Sequence, residues 1–460
     1  MATGTGKTKT CIALIYRLLK TKRFRRILFL VDRSALGEQA ADSFKDTRME
    51  SLQTFADVFG IKEIDEQKPD TATAVHIATI QGMVHRVLSP SEDTPPPPVD
   101  EYDCIIVDEC HRGYLLDREL SDTELTFRSH EDYVSKYRRV LDYFAAVKIG
   151  LTATPALHTS EIFGPPIYSY SYREAVIDGF LVDHEPPFRI KTELSEQGII
   201  WEEGEEVSVY KSDTSEVELF EAPDEIKVEI EQFNRRVITE PFNRVVCEYL
   251  AKEIDPASSQ KTLIFCANDV HADLVVKLLK EAFKEQYGSV DDDAVIKITG
   301  TADKPLKLIL RYLPNVAVTV DLLTTGIDVP AICNLVFLRR VNSRILFDQM
   351  MGRATRLCPE IGKEAFRIYD AVGIYESIQD MTAMKPVVVD PSISFTQLTR
   401  EIGEVPDDEA RALIRDQLLA KIQRKKRHLG DKARQDFETV AGMPPDEFVE
   451  KLREMPLGEI

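Results

Sequence analysis

The sequence predicts an α/β protein with two parallel-sheet domains followed by a short helical extension. Short apolar segments of strand length alternate with longer helical segments in both halves of the chain, a pattern typical of βαβ units around a parallel sheet. An irregular, acidic region separates the halves, and the strand-like segments end near residue 392. We therefore expect one domain over residues 1–180, a second over 181–390 with an acidic insert at about 192–235, and a helical extension over 391–460.

Strands and helices are predicted wherever a short apolar run or a helical period stands between turn-forming residues. The predicted strands of the first half are 26–31, 74–78, 104–107 and 147–151, and its predicted helices include 7–20 and 34–46. The second half repeats this order, with strands at 262–266, 294–298, 316–320 and 334–337 and helices at 271–285 and 345–351. Two more helices are predicted at 411–427 and 446–453.

Length and composition are those of a globular protein without a membrane anchor. The chain has 460 residues, of which 43% are hydrophobic and 30% charged, so about two to four domains are expected. Its apolar runs are strand-sized and fall short of the roughly 18 residues that a membrane helix needs. A glycine loop follows Met1, whereas a secretory signal peptide would have a basic and then an apolar segment there. We therefore expect a cytoplasmic protein with no membrane partner.

Charge and cysteine content bear on three features of the chain: nucleic-acid binding, disulfide bonds and zinc binding. The net charge is −20, and much of the acidic excess falls in residues 193–231, whereas basic clusters remain at 20–26 and 424–427. The acidic total therefore argues only weakly against a nucleic-acid partner. The seven cysteines form no CxxC pair, and we expect neither a disulfide framework nor a zinc site.

The chain opens with Met1-Ala-Thr-Gly-Thr-Gly-Lys-Thr8, which matches the phosphate-binding pattern G-x-x-x-x-G-K-[ST] except at its first position. Backbone N–H groups of such a loop surround phosphate oxygens at the start of a helix. Lys7 would reach the β and γ phosphates of ATP, and Thr8 would hold Mg²⁺. The other interpretation is a plain glycine turn before a helix. The predicted ATP-binding residues of the loop are Gly4, Thr5, Gly6, Lys7 and Thr8.

An acidic pair, Asp108 and Glu109, directly follows the apolar strand predicted at 104–107. An acid at the end of a buried strand can meet a metal ion held at the phosphate loop, so Asp108 is predicted to coordinate Mg²⁺ together with Thr8. Glu109 is predicted to polarise the attacking water as general base. The alternative is a solvated acidic turn, which is common for a lone Asp-Glu pair.

Three further segments place polar groups at strand ends or helix turns. Leu151-Thr-Ala-Thr-Pro155 ends a predicted strand, and the hydroxyls of Thr152 and Thr154 could link the acidic pair to the second domain. Residues 319–330 run from a strand into a glycine turn with an exposed acid. In Gln349-Met-Met-Gly-Arg-Ala-Thr-Arg356, the two arginines are three residues apart. They are predicted to share one helix face, where arginine can stabilise charge on a transferring phosphate.

The order of these segments is more specific than any one of them. Singly, several fit a plain turn or a basic surface helix equally well. Together, GTGKT, DECH, LTATP, DLLTTGIDVP and QMMGRATR resemble motifs I, II, III, V and VI of superfamily 2 helicases. Longer stretches, such as DECHRGYLLDRELSD, VKIGLTATPALHTSEIFG and YSYREAVIDGFLVDHEPP, closely resemble the restriction (HsdR) subunit of type I restriction-modification enzymes. The resemblance covers about residues 1–390.

This resemblance implies two RecA-like domains that close on ATP. Arg353 and Arg356 would be arginine fingers from the second domain, with Gln349 beside the γ-phosphate. Gly326 and Asp328 would face the nucleotide. By family position, the DNA-tracking residues would be Arg33, Thr79, Gln81, Asn268 and Thr324. Such residues mostly grip phosphates, so DNA binding would be independent of sequence and weaken with salt.

The implied activity is ATP-dependent translocation of double-stranded DNA within a type I restriction enzyme, before cleavage at a nuclease site outside this chain. The implied partners are duplex DNA and the methyltransferase (M) and specificity (S) subunits. The implied cofactors are ATP and Mg²⁺.

Two departures from the family pattern leave alternatives open. The chain begins at the phosphate loop, so the strand, the adenine-recognition segment and the nuclease domain that precede this loop in the family are expected to be absent. A deletion is also expected near 306–314, before the LPNVAV strand. A non-catalytic remnant that binds DNA or partner subunits without ATP turnover is the second hypothesis, and an RNA helicase is the third.

Overall fold

The computed structural model of the chain describes most residues in each half. The described residues are 1–31, 34–48, 53–62, 72–90, 95–113, 130–155, 157–190, 199–201, 206–211, 216–221, 226–228, 238–298, 315–320, 329–341 and 343–459. The chain divides into two compact units, Met1–Tyr170 and Ser171–Ile460. The predicted boundary followed residue 180, whereas the helix Tyr172–Ile177 groups with the second unit.

The first unit is built on a five-stranded sheet in which every described pair of strands is parallel. The strand order is β2-β3-β1-β4-β5. Its strands are β1 (Ile27–Val31), β2 (Gly60–Lys62), β3 (Thr73–Thr79), β4 (Cys104–Val107) and β5 (Val147–Gly150). Its helices are α1 (Lys7–Lys20), α2 (Ser34–Asp46), α3 (Phe55–Val58), α4 (Ile80–Leu88), α5 (His130–Tyr143) and α6 (Leu157–Phe163).

Both faces of this sheet are covered, which explains why its central strands are continuous apolar runs. Every residue of β1 and β4 is buried. One cluster packs β1 and β4 against α1, with Cys11, Ile12 and Ile15 fully buried. A second cluster packs the opposite face against α4 and α5. Strands of this kind end at a common edge, and the loops there are where ligands bind in open α/β sheets.

The second unit has a seven-stranded sheet whose described pairs are also parallel. The order is β13-β14-β12-β15-β16-β6, and β7 pairs with β16 as well. Its strands are β6 (Asp183–His184), β7 (Phe188–Arg189), β12 (Lys261–Phe265), β13 (Val295–Lys297), β14 (Val316–Thr319), β15 (Ile332–Phe337) and β16 (Ala365–Asp370). The helices around it are α7 (Tyr172–Ile177), α8 (Glu240–Glu253), α9 (Asp269–Tyr287), α10 (Arg344–Met351) and α11 (Ile374–Ile378).

A helical extension closes the chain and belongs to the second unit. It consists of α12 (Phe395–Glu404), α13 (Asp408–Lys426), α14 (Asp431–Ala441) and α15 (Pro445–Glu454). Helix α13 carries the predicted basic cluster at its end, and Gln423 and Leu419 in it are buried.

The acidic insert contains regular structure, so the prediction of an irregular region was wrong for its described parts. Antiparallel pairs form between β9 (Glu206–Lys211) and β10 (Glu216–Glu221), and between β8 (Ile199–Trp201) and β11 (Ile226–Val228). The alternation of Val, Leu and Phe with Glu, Ser and Lys in β9 and β10 is the two-residue period of a strand.

Predicted and observed elements otherwise agree where apolar runs are continuous. Strand β4 and helices α1 and α2 have their predicted bounds, and the other predicted elements are found within a few residues of theirs. The segment at 306–314, where a deletion was predicted, lies outside the described residues. The seven cysteines are buried and free. None of the described helices is long and apolar enough to span a membrane.

Candidate nucleotide-binding site

The glycine loop before α1 has a backbone shape that requires glycine. Gly4 and Gly6 have φ values of +87° and +84°, in the left-handed region that other residues rarely adopt. The loop is tightened by Thr5, whose hydroxyl donates to the carbonyl of Ala2 over 2.7 Å. A Cβ added at Gly6 would meet nothing within 4 Å, so the space above the loop is open. No side chain caps the start of α1, which leaves its first N–H groups directed at that space.

The first residue of the chain ties this loop to the end of β5. The Met1 amine donates to the carbonyl of Thr152 over 3.1 Å, and the Lys7 amine reaches the Met1 carbonyl at 3.5 Å. Burial lowers the pKa of the Met1 amine, and the nearby Lys7 charge lowers it further. Thr8, the predicted Mg²⁺ ligand, is half-buried in the first turn of α1.

The acidic pair is fixed at the end of β4 by its backbone. The Asp108 N–H donates to Leu30 in the neighbouring β1 over 2.9 Å, and the Glu109 N–H donates to the Asp108 carboxylate over 3.0 Å. Glu109 has a φ of +47°, which is uncommon for a residue with a Cβ. The Cys110 N–H then donates to Leu151 beyond β5 over 2.9 Å. Burial, with the Glu109 and Asp108 charges, raises the pKa of the Cys110 thiol to about 12.

A buried histidine joins the acidic pair to the threonine segment. His111 is fully buried, and its Nδ1 lies 2.8 Å from the Thr152 hydroxyl and 3.4 Å from the Glu109 carboxylate. The Thr152 hydroxyl also accepts the N–H of Thr154 over 3.0 Å. The sequence predicted the threonines as a link but gave His111 no role of its own. Its position two residues after Glu109 in DECH was the available signal.

The sequence predicted that the two arginines of the second unit share a helix face, and this prediction was wrong. Helix α10 ends at Met351, and Arg353 and Arg356 lie in the turn and extended segment that follow. Arg356 forms a backbone bridge with Leu181, and the Val182 N–H donates to Thr355 over 2.8 Å. Backbone pairing with a segment distant in sequence therefore holds Arg356 outside the helix, whereas Arg353 lies in a turn closed by its N–H on the Met350 carbonyl.

Both arginines and the nearby glutamine are largely enclosed. Gln349 is 6% exposed and Arg353 8% exposed. Burial lowers the pKa of the Arg356 guanidinium. A guanidinium with reduced access to water interacts more strongly with an anion than one at the surface.

The segment that pairs with Arg356 is itself held by the helical extension. Arg427 of this extension donates to the carbonyls of Gly179 and Leu181 over 3.2 and 3.1 Å, and Gln423 donates to Ile177 over 3.1 Å. Asp183 ends the segment and is ion-paired with Arg424 at 2.9 Å.

The predicted DNA-tracking residues that are described cap or begin helices. Thr79 precedes α4, and its hydroxyl accepts the Gly82 N–H over 3.0 Å. Gln81 is exposed in the first turn of α4. Asn268 precedes α9, and its side chain accepts the His271 N–H over 2.9 Å. The other predicted residues of this group and of the second ATP-binding segment lie outside the described residues; these are Arg33, Thr324, Gly326 and Asp328.

Known proteins similar in sequence cover nearly the whole chain. Residues 1–157 match the family described as "Type III restriction enzyme, res subunit". The endonuclease subunit of the type I restriction enzyme EcoKI from Escherichia coli strain K12 is 50% identical over 440 residues, which are 92% of this chain and 37% of that subunit. The EcoAI endonuclease subunit from Escherichia coli is 30% identical over 440 residues, 89% of this chain and 48% of that subunit. The chain thus spans less than half the length of these curated relatives.

Solved structures share the architecture. A fragment of a type I restriction enzyme HsdR subunit from Vibrio vulnificus YJ016 has a TM-score of 0.53 at 25% identity and covers 85% of this chain and 63% of that one. The DEAD-box helicase Mss116, solved with single-stranded RNA and UDP-BeF, has a TM-score of 0.51 at 13% identity and covers 100% of this chain and 87% of that one. Identity that low supports the fold alone. The predicted fold class, two RecA-like parallel-sheet domains with a helical extension, is confirmed.

Proposed function

The chain belongs to the HsdR family of type I restriction enzyme subunits, and we propose that it hydrolyses ATP to move double-stranded DNA. The observation that carries this proposal is the meeting of the glycine loop and the acidic pair at Thr152. The carbonyl of Thr152 accepts the amine of Met1, and its hydroxyl contacts His111, which contacts Glu109. The glycine loop and the proposed general base are therefore linked through Thr152 and His111.

The loop residues would hold the phosphates of ATP. The backbone of Gly4, Thr5 and Gly6 and the start of α1 would receive phosphate oxygens, and the Lys7 amine would reach the β and γ phosphates. Thr8 and Asp108 offer a hydroxyl and a carboxylate oxygen, donors that fit the hard cation Mg²⁺. When bound, Mg²⁺ would neutralise charge on the phosphates.

Glu109 would accept the proton of the water that attacks the γ-phosphate. Its positive φ turns it away from the strand direction, and His111 lies against its carboxylate. We propose that His111 orients this carboxylate and that Thr152 and Thr154 couple its position to DNA movement. Backbone strain at a single non-glycine residue beside a binding loop is a feature found at functional sites.

Arg353 and Arg356 would stabilise charge that develops on the γ-phosphate, with Gln349 beside it. The burial of both guanidinium groups supports a role as positively charged hydrogen-bond donors with little access to water. Gly326 and Asp328 would face the nucleotide by family position.

The DNA contacts rest on family position. Arg33, Thr79, Gln81, Asn268 and Thr324 would track the phosphate backbone of duplex DNA. The ATP-dependent Type ISP restriction-modification enzyme LlaBIII, which shares this fold at 17% identity, was solved bound to DNA. We propose the M and S subunits as protein partners, a cytoplasmic location, and a nuclease site carried outside these residues.

The test is the rate of phosphate release from ATP by the purified chain, with and without duplex DNA. We expect stimulation by DNA, and loss of roughly 10²–10³-fold in Lys7→Ala, because removal of one transition-state donor has an effect of that size. Lys9→Ala is the matched control, since Lys9 is exposed two residues further along α1. Duplex RNA as competitor would separate a DNA motor from an RNA helicase.

A non-catalytic remnant is the second candidate, and one observation favours it. Val147 of β5 is 51% exposed and the other three residues of this strand are half-buried, whereas every residue of β1 and β4 is buried. A folded circular-dichroism spectrum without any turnover, and with Lys7→Ala no slower than the unaltered chain, would support this candidate over the motor.

A further inference from the structure

The helical extension holds the segment that follows α7 through bonds to its backbone carbonyls. Arg427, directly after α13, donates from one nitrogen to the carbonyls of Gly179 and Leu181 over 3.2 and 3.1 Å. Gln423, one turn earlier, donates to the carbonyl of Ile177 over 3.1 Å. A Cβ added at Gly179 would lie 2.8 Å from the Gln423 side chain, so the helix and the segment are in direct contact.

The same segment pairs with the residues around Arg356. Leu181 and Arg356 form an antiparallel bridge, and the Val182 N–H donates to the Thr355 carbonyl over 2.8 Å. Leu181 therefore takes part in both contacts, since its backbone pairs with Arg356 and its carbonyl accepts the bond from Arg427. A movement of Arg427 would reach Arg356 through this one residue.

The charge of Arg427 is directed at backbone carbonyls. None of the described carboxylates lies within ion-pair distance of its guanidinium. Burial, with the nearby Arg424 charge, lowers the pKa of Arg427 to about 10, so this side chain stays charged at neutral pH. A half-buried cation held by carbonyls alone has a desolvation cost that no close opposite charge offsets. A purely stabilising role therefore explains Arg427 poorly.

We propose, on the basis of the proposed function in which Arg356 stabilises charge on the γ-phosphate, that Arg427 is a positioning residue for Arg356. The helical extension then sets the rate of ATP hydrolysis through the segment between them. Displacement of a catalytic group by about 1 Å can slow a reaction by about 100-fold. Arg427 acts through Leu181 and needs no contact with ATP.

The test is a double-substitution cycle on the full chain, with ATP turnover measured in the presence of duplex DNA. Arg356→Ala should lower kcat by about 10³-fold, the effect of losing an arginine finger. Arg427→Met should lower kcat by about 10- to 100-fold. It should change the KM for ATP by less than about twofold, because the glycine loop still binds the ground state. Added to Arg356→Ala, Arg427→Met should cause no further loss of kcat.

Hydrogen exchange at Val182 reports the same pairing without ATP. Because its N–H donates to the Thr355 carbonyl, exchange there should be about tenfold faster in Arg427→Met. Arg427→Lys keeps a charged donor for the two carbonyls, and it should restore most of kcat and the slow exchange. Arg400→Met is the matched control, since the Arg400 side chain is 70% exposed in α12 of the same extension. It should change neither kcat nor the exchange.

A second variant keeps the test available if Arg427→Met does not fold. Gln423→Met removes the bond to the Ile177 carbonyl and leaves every charge in place. It should lower kcat by a smaller factor than Arg427→Lys restores, and only in chains that keep Arg356.

Three outcomes overturn this role of Arg427 alone, provided that the unaltered chain hydrolyses ATP. The first is a kcat of Arg427→Met equal to that of the unaltered chain. The second is an equal loss of kcat with and without Arg356, which would mean general damage to the fold. The third is unchanged exchange at Val182. An unaltered chain without ATP turnover would instead overturn the proposed function, and the positioning role with it.

Discussion

The glycine loop of the first unit and the arginine segment of the second are positioned by different physical means. In the first unit, positive φ values at Gly4, Gly6 and Glu109 set the shape, and the bonds between loop and acidic pair pass through Thr152. In the second unit, Arg356 lies in an extended segment that is paired with Leu181 and braced by side chains of the helical extension.

Because of this difference, we expect the two sites to respond differently to substitutions. A site shaped by backbone conformation should be more sensitive to a change of glycine than to loss of nearby charges. A site braced by buried charge should be sensitive to loss of one carboxylate far from the arginines themselves. The substitutions below are ordered by the size of their expected effects on stability.

The largest effect is expected at Asp183, the buried end of the braced segment. Its carboxylate accepts bonds from Tyr172, Val388 and Val387 over 3.2, 2.9 and 3.0 Å and pairs with Arg424 at 2.9 Å. Asp183→Asn removes an acceptor and leaves a largely buried guanidinium without its counter-charge. We expect a loss of about 3–5 kcal/mol in the free energy of unfolding, measured by urea denaturation.

The control for Asp183 is an exposed ion pair in the same unit. Glu376 pairs with Arg189 at 2.8 Å, and both side chains are substantially exposed. Glu376→Gln should change stability little, because solvent screens such pairs. Equal stability of Asp183→Asn and Glu376→Gln would show that buried charge does not brace the arginine segment.

A smaller, pH-dependent effect is expected at His271, which lies at the start of α9 beside Asn268. Its Nδ1 accepts the Ala267 N–H over 3.1 Å, and its Nε2 donates to Asn243 over 2.9 Å, so the native ring is neutral. Burial lowers its pKa to about 3 from 6.5. The unfolded chain therefore binds a proton that the native chain excludes, and stability falls as pH drops from 6.5 towards 3.

The measurement compares the unaltered chain with His271→Gln at pH 7 and pH 5. Between pH 7 and pH 5, His271 should lower the free energy of unfolding of the unaltered chain by about 2 kcal/mol. One proton taken up by the unfolded chain changes this free energy by about 1.4 kcal/mol per pH unit below 6.5. His271→Gln should be less stable at pH 7 and should show a shallower decline. Parallel pH dependence in the two proteins would mean that His271 is protonated in the native state.

Continuous apolar strands and the groups directly after them could be predicted from the sequence, because burial on both faces fixes the pattern. Strand β4 and the acidic pair that follows it are the clearest case. The end of α10 could not be predicted, since the residues around Arg353 and Ala354 are compatible with a helix. The extended conformation that follows is paired with Leu181, which is distant in sequence, through Arg356.

The contact between Glu109 and His111 was equally beyond a sequence argument. It depends on the positive φ of Glu109, a conformation that residue type disfavours. For Thr79 and Asn268, family position suggested contacts with DNA, whereas the structure shows their oxygens accepting backbone N–H groups at helix starts. Their role in DNA binding stays a prediction.

The smallest effect on stability is expected at Gly6, where a substitution disturbs the backbone conformation and no side-chain contact. Its φ of +84° disfavours any side chain, but a Cβ would meet no atom within 4 Å. Gly6→Ala should therefore lower the free energy of unfolding by about 1–2 kcal/mol, the cost of a left-handed residue with a Cβ. Gly403→Ala, in α12 and also without a close neighbour, is the control and should be neutral or slightly stabilising, since alanine favours a helix. If the two variants were equally stable, the loop would adopt its shape without glycine, and the contrast with the charge-braced arginine segment would lose its basis.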